Sequence, residues 1–298
     1  MINLREALKS QDFAITAKLS MARGQNARDL ISEAKLLSKS VDAIQVPDSP
    51  YARPHISSIA AAALIIREGI DPVVHMNCRD RNRIAIQSDL LGAQALGVSN
   101  VLLMRGTSLP ADHMPRSSNV FDLGAIDFIR TAAAIRDQEA LVGGQLPDSA
   151  ELHIGAVATA FRPVETWQPE KLLAKADAGA QFIQLQVCMN VDALQDYVAK
   201  IVAAKLTWRL QILANLAIFP SAEAAREMKK MRPDAAIPRA VIDRLEKSGD
   251  PVQEGIDICA ETLAELAVIP GIAGANLSTT GDPESIIAVI EKSGVRSG

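Results

Sequence analysis

Cysteine is scarce in this sequence, with only three among 298 residues. Cys78, Cys188 and Cys259 are odd in number and widely separated, which argues against a disulfide framework. No Cys-x-x-Cys or His-x-x-x-His spacing occurs, so the sequence offers no recognisable cage for a metal ion. A structural zinc site is therefore not expected.

The sequence also lacks an excess of positive charge and any long apolar segment. Its formal net charge is −4, which provides no basic field to attract a phosphate backbone, so no nucleic-acid partner is expected. No segment approaches the roughly 18 uninterrupted apolar residues of a membrane span, and segment 1–16 carries charges throughout. We therefore expect a cytoplasmic protein, outside the membrane, that acts on a small molecule.

A glycine-rich dinucleotide fingerprint is missing as well. The first apolar run is followed by LSMARGQNARD, which contains one glycine and no G-x-G-x-x-G. A doubly wound open sheet that binds a dinucleotide normally has this motif after its first strand. Its absence favours a different α/β architecture.

What the sequence does contain is a sustained alternation of short apolar runs and longer amphipathic stretches. The apolar runs are rich in aliphatic residues, as expected for parallel strands that are buried on both faces. They span 13–19, 43–47, 72–77, 100–106, 153–159, 182–187, 210–218 and 273–279. The helical stretches span 28–40, 57–67, 80–96, 126–138, 169–178, 191–203, 221–231 and 283–292. This is the number of units that a (β/α)8 barrel, or TIM barrel, requires.

Two segments do not fit the plain repeat. Segment 106–120 is polar and interrupted by prolines, so it predicts a long functional loop after the fourth strand. Segment 237–266 predicts two extra helices before the eighth strand. The sequence as a whole predicts one α/β domain over 1–298, a (β/α)8 TIM barrel with extra helices before the eighth strand.

The predicted carboxyl ends of the strands, where such barrels carry their reactive groups, are polar and rich in amides and cations. They show no obvious carboxylate pair for a glycosidase and no evident Ser-His-Asp arrangement. Some of these residues also have a structural interpretation, His75 as a hydrogen-bonded strand-end histidine and Asp80 as a helix N-cap. The segment STTGD at 278–282 is either a phosphate-binding turn or a turn that starts a helix.

Four segments together resemble the methylenetetrahydrofolate reductase family. They are HMNCRD at 75–80, LLMRG at 102–106, KADAGAQFIQLQ at 175–186 and IPRAVIDRL at 237–245. The resemblance covers roughly residues 12–290, and K-x-D-A-G-A-x-x-x-x-x-Q is its most specific part. That family is a (β/α)8 barrel carrying FAD, which passes a hydride from a reduced nicotinamide to the methylene carbon of a folate.

The resemblance implies roles for particular side chains, with FAD lying across the ends of the third to sixth strands. The residues implied for FAD binding are His75, Arg105, Gly106, Thr107, Arg162, Lys171 and Lys175. The residues implied for the folate substrate are Lys18, Gln184, Gln186 and Asn215, with Gln186 hydrogen-bonded to the pterin. Lys18, Thr107 and Gln186 form the implied catalytic set and are expected to share one cavity.

The sequence departs from the family pattern at three of the positions compared. Lys18 stands where the family has the glutamate that acts as general acid, Thr107 replaces an aspartate, and Ala158 replaces a tyrosine that contacts the flavin. A partly desolvated lysine can have a lowered pKa and donate a proton, so Lys18 is compatible with catalysis.

Two functions remain open at this point. The first is a reductase of one-carbon metabolism that interconverts 5,10-methylenetetrahydrofolate and 5-methyltetrahydrofolate, using FAD and either NADH or NADPH. The alternative is a folate-binding or regulatory barrel with weak or no reductase activity, which includes a form without flavin. The sequence leaves open the direction of flux and whether the chain forms a homo-oligomer.

Overall fold

Eight parallel strands close into a barrel in the computed structural model, which describes residues 3–10, 13–21, 24–109, 117–137 and 152–296. The strands pair in chain order, and the first also pairs with the last. They are β1 Ala14–Lys18, β2 Ala43–Val46, β3 Pro72–Asn77, β4 Asn100–Met104, β5 His153–Ala158, β6 Phe182–Leu185, β7 Gln211–Ile218 and β8 Gly274–Thr279. Each lies within the apolar run predicted for it, so the predicted barrel is confirmed.

Helices of the described residues alternate with these strands. They are α1 Leu4–Ala7, α2 Ala27–Leu37, α3 Ser58–Ile66, α4 Arg83–Ala95, α5 Ala125–Arg136, α6 Glu170–Asp177, α7 Val191–Ala203, α8 Ala222–Met231, α9 Arg239–Lys247, α10 Pro251–Ala267 and α11 Glu284–Ser293. The two extra helices predicted before the eighth strand are α9 and α10. Asn26, Asn82 and Asn190 each accept a backbone N–H in the first turn of a helix, which satisfies a donor that the helix leaves unpaired. The predicted loop 106–120 has neither helix nor strand in its described parts, and 110–116 lie outside the described residues.

Apolar side chains fill the end of the barrel where the strands begin. Leu4 and Leu8, from α1 and the residue after it, share a buried cluster with Phe182 and Leu213. The Phe182 ring occupies the space beside Gly155, where an added Cβ would lie 2.1 Å from the ring. A fully buried Leu or Phe contributes about 1.5–3 kcal/mol of burial free energy, so this cluster stabilises the closed end. The interior of the barrel is therefore closed by apolar side chains at this end.

Helix α10 packs very closely on the chain just beyond β7. Gly255 of α10 is buried, and an added Cβ there would lie 2.0 Å from the carbonyl oxygen of Phe219. A residue without a side chain is needed at this position because the obstacle is backbone rather than a flexible side chain. This contact fixes α10, the second of the two inserted helices, against the end of the strand that carries Asn215.

Candidate functional site

A network of buried polar side chains crosses the interior of the barrel above the apolar cluster. Its members come from six strands and point inward: Thr16, Gln45, His75, Gln184, Asn215 and Asn276. Nε2 of His75 lies 2.9 Å from Oε1 of Gln45, and Nε2 of Gln45 donates to Oγ1 of Thr16 at 2.9 Å and to Oε1 of Gln184. The Thr16 hydroxyl donates to Asn276 at 3.1 Å, and Asn276 donates to Asn215 at 2.9 Å. Buried polar groups of this kind are tolerated because they satisfy one another.

The two residues at the ends of this network, Gln184 and Asn215, keep side-chain N–H donors available for a ligand. The side-chain amide nitrogens of Gln184 and Asn215 have no hydrogen-bond partner within the described residues, whereas their oxygens accept from Gln45 and Asn276. Both residues were predicted to bind the substrate. The network therefore presents amide N–H groups at the floor of the barrel mouth.

His75 belongs to this floor and is almost completely buried, at 7% exposed. Burial, together with the positive charge of Lys18, lowers the pKa of His75 to about 3. The ring is therefore neutral at physiological pH. Its interaction with Gln45 agrees with the structural interpretation of a hydrogen-bonded strand-end histidine, and a contact between His75 and FAD stays a prediction.

Lys18 lies at the carboxyl end of β1, two residues beyond Thr16. Burial lowers its pKa to about 8, and the positive charge of Arg232 adds to the effect. Its ammonium group has no hydrogen-bond or ion-pair partner within the described residues. It lines a cavity of about 280 Å³, here called the lysine cavity, between the ends of β1, β2 and β8.

Gln186 lies just beyond β6 and lines a different cavity. The guanidinium of Arg232, the residue after α8, donates to its Oε1. Arg232 therefore contacts one predicted catalytic residue and acts electrostatically on another. The sequence analysis missed Arg232, because nothing in the local sequence MRPD indicates that this side chain reaches across to β6.

The second cavity is larger, about 580 Å³, and is called here the aromatic cavity. Phe161, Trp167 and Tyr197 form its aromatic wall, with ring centroids 5.2–5.5 Å apart. Lys171 and Lys175 of α6 line the same space. Pockets of this volume with mostly apolar walls and a few polar groups are typical of ligand and cofactor sites.

The two lysines of the aromatic cavity differ in environment. Nζ of Lys175 donates to the carbonyl oxygen of Val157 at 2.5 Å, whereas Lys171 is exposed. Burial lowers the pKa of Lys175, and the charge of Lys171 lowers it further. Two neighbouring cations at the edge of an aromatic pocket suit a ligand that combines a ring with an anionic group.

Other predicted FAD residues lie beyond the end of β4. The Arg105 guanidinium stacks on the Phe121 ring, 4.0 Å from its centroid, while Thr107 is exposed to solvent. Gly106 has φ +83°, a conformation that favours glycine, and an added Cβ there would lie 3.2 Å from Cβ of Asn77. Gly106 thus lets the ends of β3 and β4 approach closely.

Charged residues after β3 are mostly engaged in pairs. Arg79 pairs with Asp80 at 2.6 Å, and Arg81 pairs with the nearly buried Asp48 at 2.6 Å. The interpretation of Asp80 as the helix N-cap is wrong, because the side chain of Asn82 accepts the capping bond. Arg162 is exposed and pairs with Asp196 at 2.9 Å, so it lies outside the lining of the aromatic cavity.

The STTGD segment forms a tight turn after β8. Oγ1 of Thr279 accepts from the backbone N–H of Gly281 at 2.9 Å, and Oδ1 of Asp282 accepts from that of Glu284 at 3.3 Å. These two hydrogen bonds agree with the interpretation of the segment as a turn that leads into a helix, here α11. The same turn also lines the lysine cavity through residues 278–281.

The predicted site residues thus divide into three groups at one end of the barrel. Lys18 lines the lysine cavity, Gln186 lines the aromatic cavity, and Thr107 is exposed beyond β4. The expectation that these residues share one cavity is therefore wrong: Lys18 and Gln186 line two separate cavities, and Arg232 interacts with both residues. Gln45 and Thr16 were also missed, although a polar residue inside an apolar strand run is a signal that could have found them.

Within the described residues, no group of three or more His, Cys, Asp or Glu side chains is arranged to hold a metal ion. No helix in the described part of the chain is long and apolar enough to cross a membrane. The features that stand out are the buried polar network and the two cavities at the carboxyl ends of the strands.

Comparison with solved structures agrees with the fold. An uncharacterized protein from Clostridium thermocellum, described as binding two copies of 5-methyl-5,6,7,8-tetrahydrofolic acid, has a TM-score of 0.66 and 13% identity, over 97% of this chain and 96% of that one. A 2,3-dimethylmalate lyase of the PEP mutase/isocitrate lyase superfamily has a TM-score of 0.51 and 14% identity, over 93% and 81%. At these identities the likeness shows the fold alone. No curated protein sequence gives a significant match.

The fold and the site define a (β/α)8-barrel protein with two cavities at the carboxyl ends of its strands. A sequence model of one family, described as methylenetetrahydrofolate reductase, matches residues 3–294. The chain belongs to the methylenetetrahydrofolate reductase family, as the four segments of the sequence analysis predicted.

Proposed function

We propose that this protein binds a reduced folate and interconverts 5,10-methylenetetrahydrofolate and 5-methyltetrahydrofolate. Membership of the family supports the folate class, and the methyltetrahydrofolate bound by the Clostridium thermocellum structure agrees with it. The observation that carries the proposal is Lys18, an unpaired ammonium with a pKa of about 8 at the end of β1. A group of this kind can hold and release a proton near neutral pH.

The amide floor gives the mouth a surface suited to a pterin ring, whose edge carries hydrogen-bond donors and acceptors. Gln184 and Asn215 offer amide N–H groups there, and Gln186 adds a third amide. Because a guanidinium can only donate, Arg232 holds the oxygen of Gln186, which leaves its amide nitrogen to donate toward the aromatic cavity. These amides orient the ligand, and the aromatic rings exclude water from it.

Lys18 supplies the proton when the imidazolidine ring of methylenetetrahydrofolate opens. As the carbon–nitrogen bond breaks, the released nitrogen lone pair takes a proton from the Lys18 ammonium. The amine left behind is neutral, and its burial near Arg232 favours this form. The environment therefore lowers the cost of the transfer relative to an exposed lysine.

The residues present fit the phosphate end of FAD, because Lys171 and Lys175 bring two cations to the edge of the aromatic cavity against a single carboxylate in its described lining, Glu170. Lys171 and Lys175 would hold the diphosphate, and the backbone at Gly106 would allow close approach beyond β4. FAD supplies hydride transfer when it is bound, with NADH or NADPH as reductant. The protein residues bind and orient the reactants around it.

Replacing Lys175 with Glu is expected to lower the flavin content of the purified protein. The substitution puts a negative charge where a phosphate would bind, and like charges in a partly buried site repel. Flavin absorbance per protein chain measures the effect, with Lys247→Glu on the exposed surface of α9 as control. Equal flavin content in the Lys175 variant and the wild type would remove this residue from the FAD site.

A second function, folate binding without reduction, is favoured by one observation. Lys18 and Thr107 occupy positions where the family has carboxylates, and no acidic side chain of the described residues lines the lysine cavity. The double variant Lys18→Glu with Thr107→Asp restores both carboxylates. Reductase activity that appears only in this variant would assign the native protein to folate binding, whereas activity in the wild type supports the reductase. Calorimetric titration with 5-methyltetrahydrofolate confirms that both proteins bind the ligand.

A further inference from the structure

The lysine cavity is built by three different connections of the barrel. Lys18 and Ser20 come from the end of β1, Tyr51 and Arg53 from the loop after β2, and Thr279 and Thr280 from the turn after β8. Its volume of about 280 Å³ suits a small group rather than a whole cofactor. Nothing in the proposed proton transfer requires this loop or this turn.

The charge of the lysine cavity is positive and unbalanced. Lys18 and Arg53 both line it, and neither side chain has a hydrogen-bond or ion-pair partner within the described residues. The lining contains no acidic side chain from the part of the chain that the structure describes. The carboxylate of Glu33 lies behind Ser20, where it accepts from the Ser20 backbone and hydroxyl at 2.7 and 2.8 Å and from Gln25 at 2.9 Å. Two cations in a small polar cavity create a field that favours an anion.

Most of the non-glycine residues with positive φ in the described chain lie in the connections around this cavity. Six non-glycine residues of the described chain have positive φ, and four of them lie in the two loops at this cavity. They are Met21 at +47°, Ser49 at +44°, Tyr51 at +56° and Ala52 at +57°. A non-glycine residue in this conformation is strained and persists where its surroundings fix it, which is common at ligand sites. The walls of the cavity are therefore held in place at an energetic cost.

We propose that the lysine cavity is a subsite for an oxyanion, a carboxylate or phosphate group, with Arg53 as the residue that selects it. The subsite shares Lys18 with the proposed function, and its most direct source, the carboxylate tail of a folate, rests on that function. A free phosphate or phosphate-bearing metabolite is the other source of the same chemistry. Arg53 suits either, because a guanidinium forms two parallel hydrogen bonds to an oxyanion.

The test compares the wild type with Arg53→Gln and with Arg53→Lys, which keeps the charge. Calorimetry measures the affinity for three probes: 5-methyltetrahydrofolate, its diamide, in which both glutamate carboxylates are converted to amides, and inorganic phosphate. Arg67→Gln at the exposed end of α3 is the control for loss of a surface arginine.

If the folate tail occupies the subsite, Arg53→Gln weakens the binding of 5-methyltetrahydrofolate by about tenfold and leaves the affinity for the diamide unchanged. Arg53→Lys then partly restores the affinity for 5-methyltetrahydrofolate. If a free anion occupies it, the affinity for phosphate falls by a similar factor and both folates bind as before. The proposal is overturned if none of the three affinities changes in Arg53→Gln, or if Arg67→Gln has the same effect. A wild type that binds phosphate through Arg53 but neither folate would refute the proposed function and leave the oxyanion subsite intact.

Discussion

Replacement of Lys18 with Met is expected to lower reductase turnover by about a hundredfold to ten-thousandfold, the range that general acid catalysis usually contributes. The substitution keeps much of the length of the side chain and removes the proton. Initial-rate measurements give the change in kcat, and titration with 5-methyltetrahydrofolate tests whether the folate still binds. Lys39→Met, at an exposed position after α2, is the matched control. A loss of only a few-fold would mean that Lys18 lines the cavity without donating the proton.

The pH dependence of turnover provides a separate check on the same residue. If the ammonium form of Lys18 is the donor, turnover falls as the pH rises through about 8, where this form is lost. Because the charge of Arg232 lowers the pKa of Lys18, Arg232→Gln should move this fall to higher pH. A profile that does not move in Arg232→Gln would contradict the coupling between the two residues.

The largest effect on stability is expected for Gly255→Ala. An added Cβ would lie 2.0 Å from the carbonyl oxygen of Phe219, so α10 or the chain after β7 has to move. Overpacking of this kind costs about 1–3 kcal/mol and sometimes more, which exceeds the gain of up to about 1 kcal/mol from replacing glycine by alanine in a helix. Thermal and denaturant unfolding measure the loss, which should appear as a Tm several degrees lower.

Gly92→Ala is the matched control, because Gly92 also lies inside a helix but an added Cβ meets nothing within 4 Å. This variant should be as stable as the wild type or more stable, by up to about 1 kcal/mol. Equal stability of the Gly255 variant and the wild type would show that α10 can shift at little cost.

The sequence predicts the fold well because the strand signal in this chain is local. Parallel strands buried on both faces leave short apolar runs, and the eight runs lie where β1 to β8 are found. The two extra helices were also recognisable from periodicity. Helix starts were less certain, since Asp80 and Asn82 are both good N-cap residues and only the backbone geometry shows which one caps α4.

The arrangement of the site could not be predicted to the same degree. Lys18 and Gln186 are each at the end of a strand, as the barrel rule requires, but the rule does not say which cavity a side chain enters. Arg232 follows a helix and reaches Gln186 across 46 positions of the sequence. Such a contact depends on the packing of α8 and the loop after it, which no local pattern encodes.

The polar network across the barrel has a direction. His75 donates to Gln45, and Gln45 donates to Thr16. The Thr16 hydroxyl donates to Asn276, and Asn276 donates to Asn215. Since Oε1 of Gln45 can only accept, the proton of the neutral His75 ring is on Nε2 and its Nδ1 is left as a lone pair. All of these hydrogen bonds therefore point in the same direction along the network. Rotating one side-chain amide by 180° would bring two donors or two acceptors together at one contact. The orientation of the Asn215 amide, which is offered to a ligand, is thereby set by a histidine on the far side of the barrel.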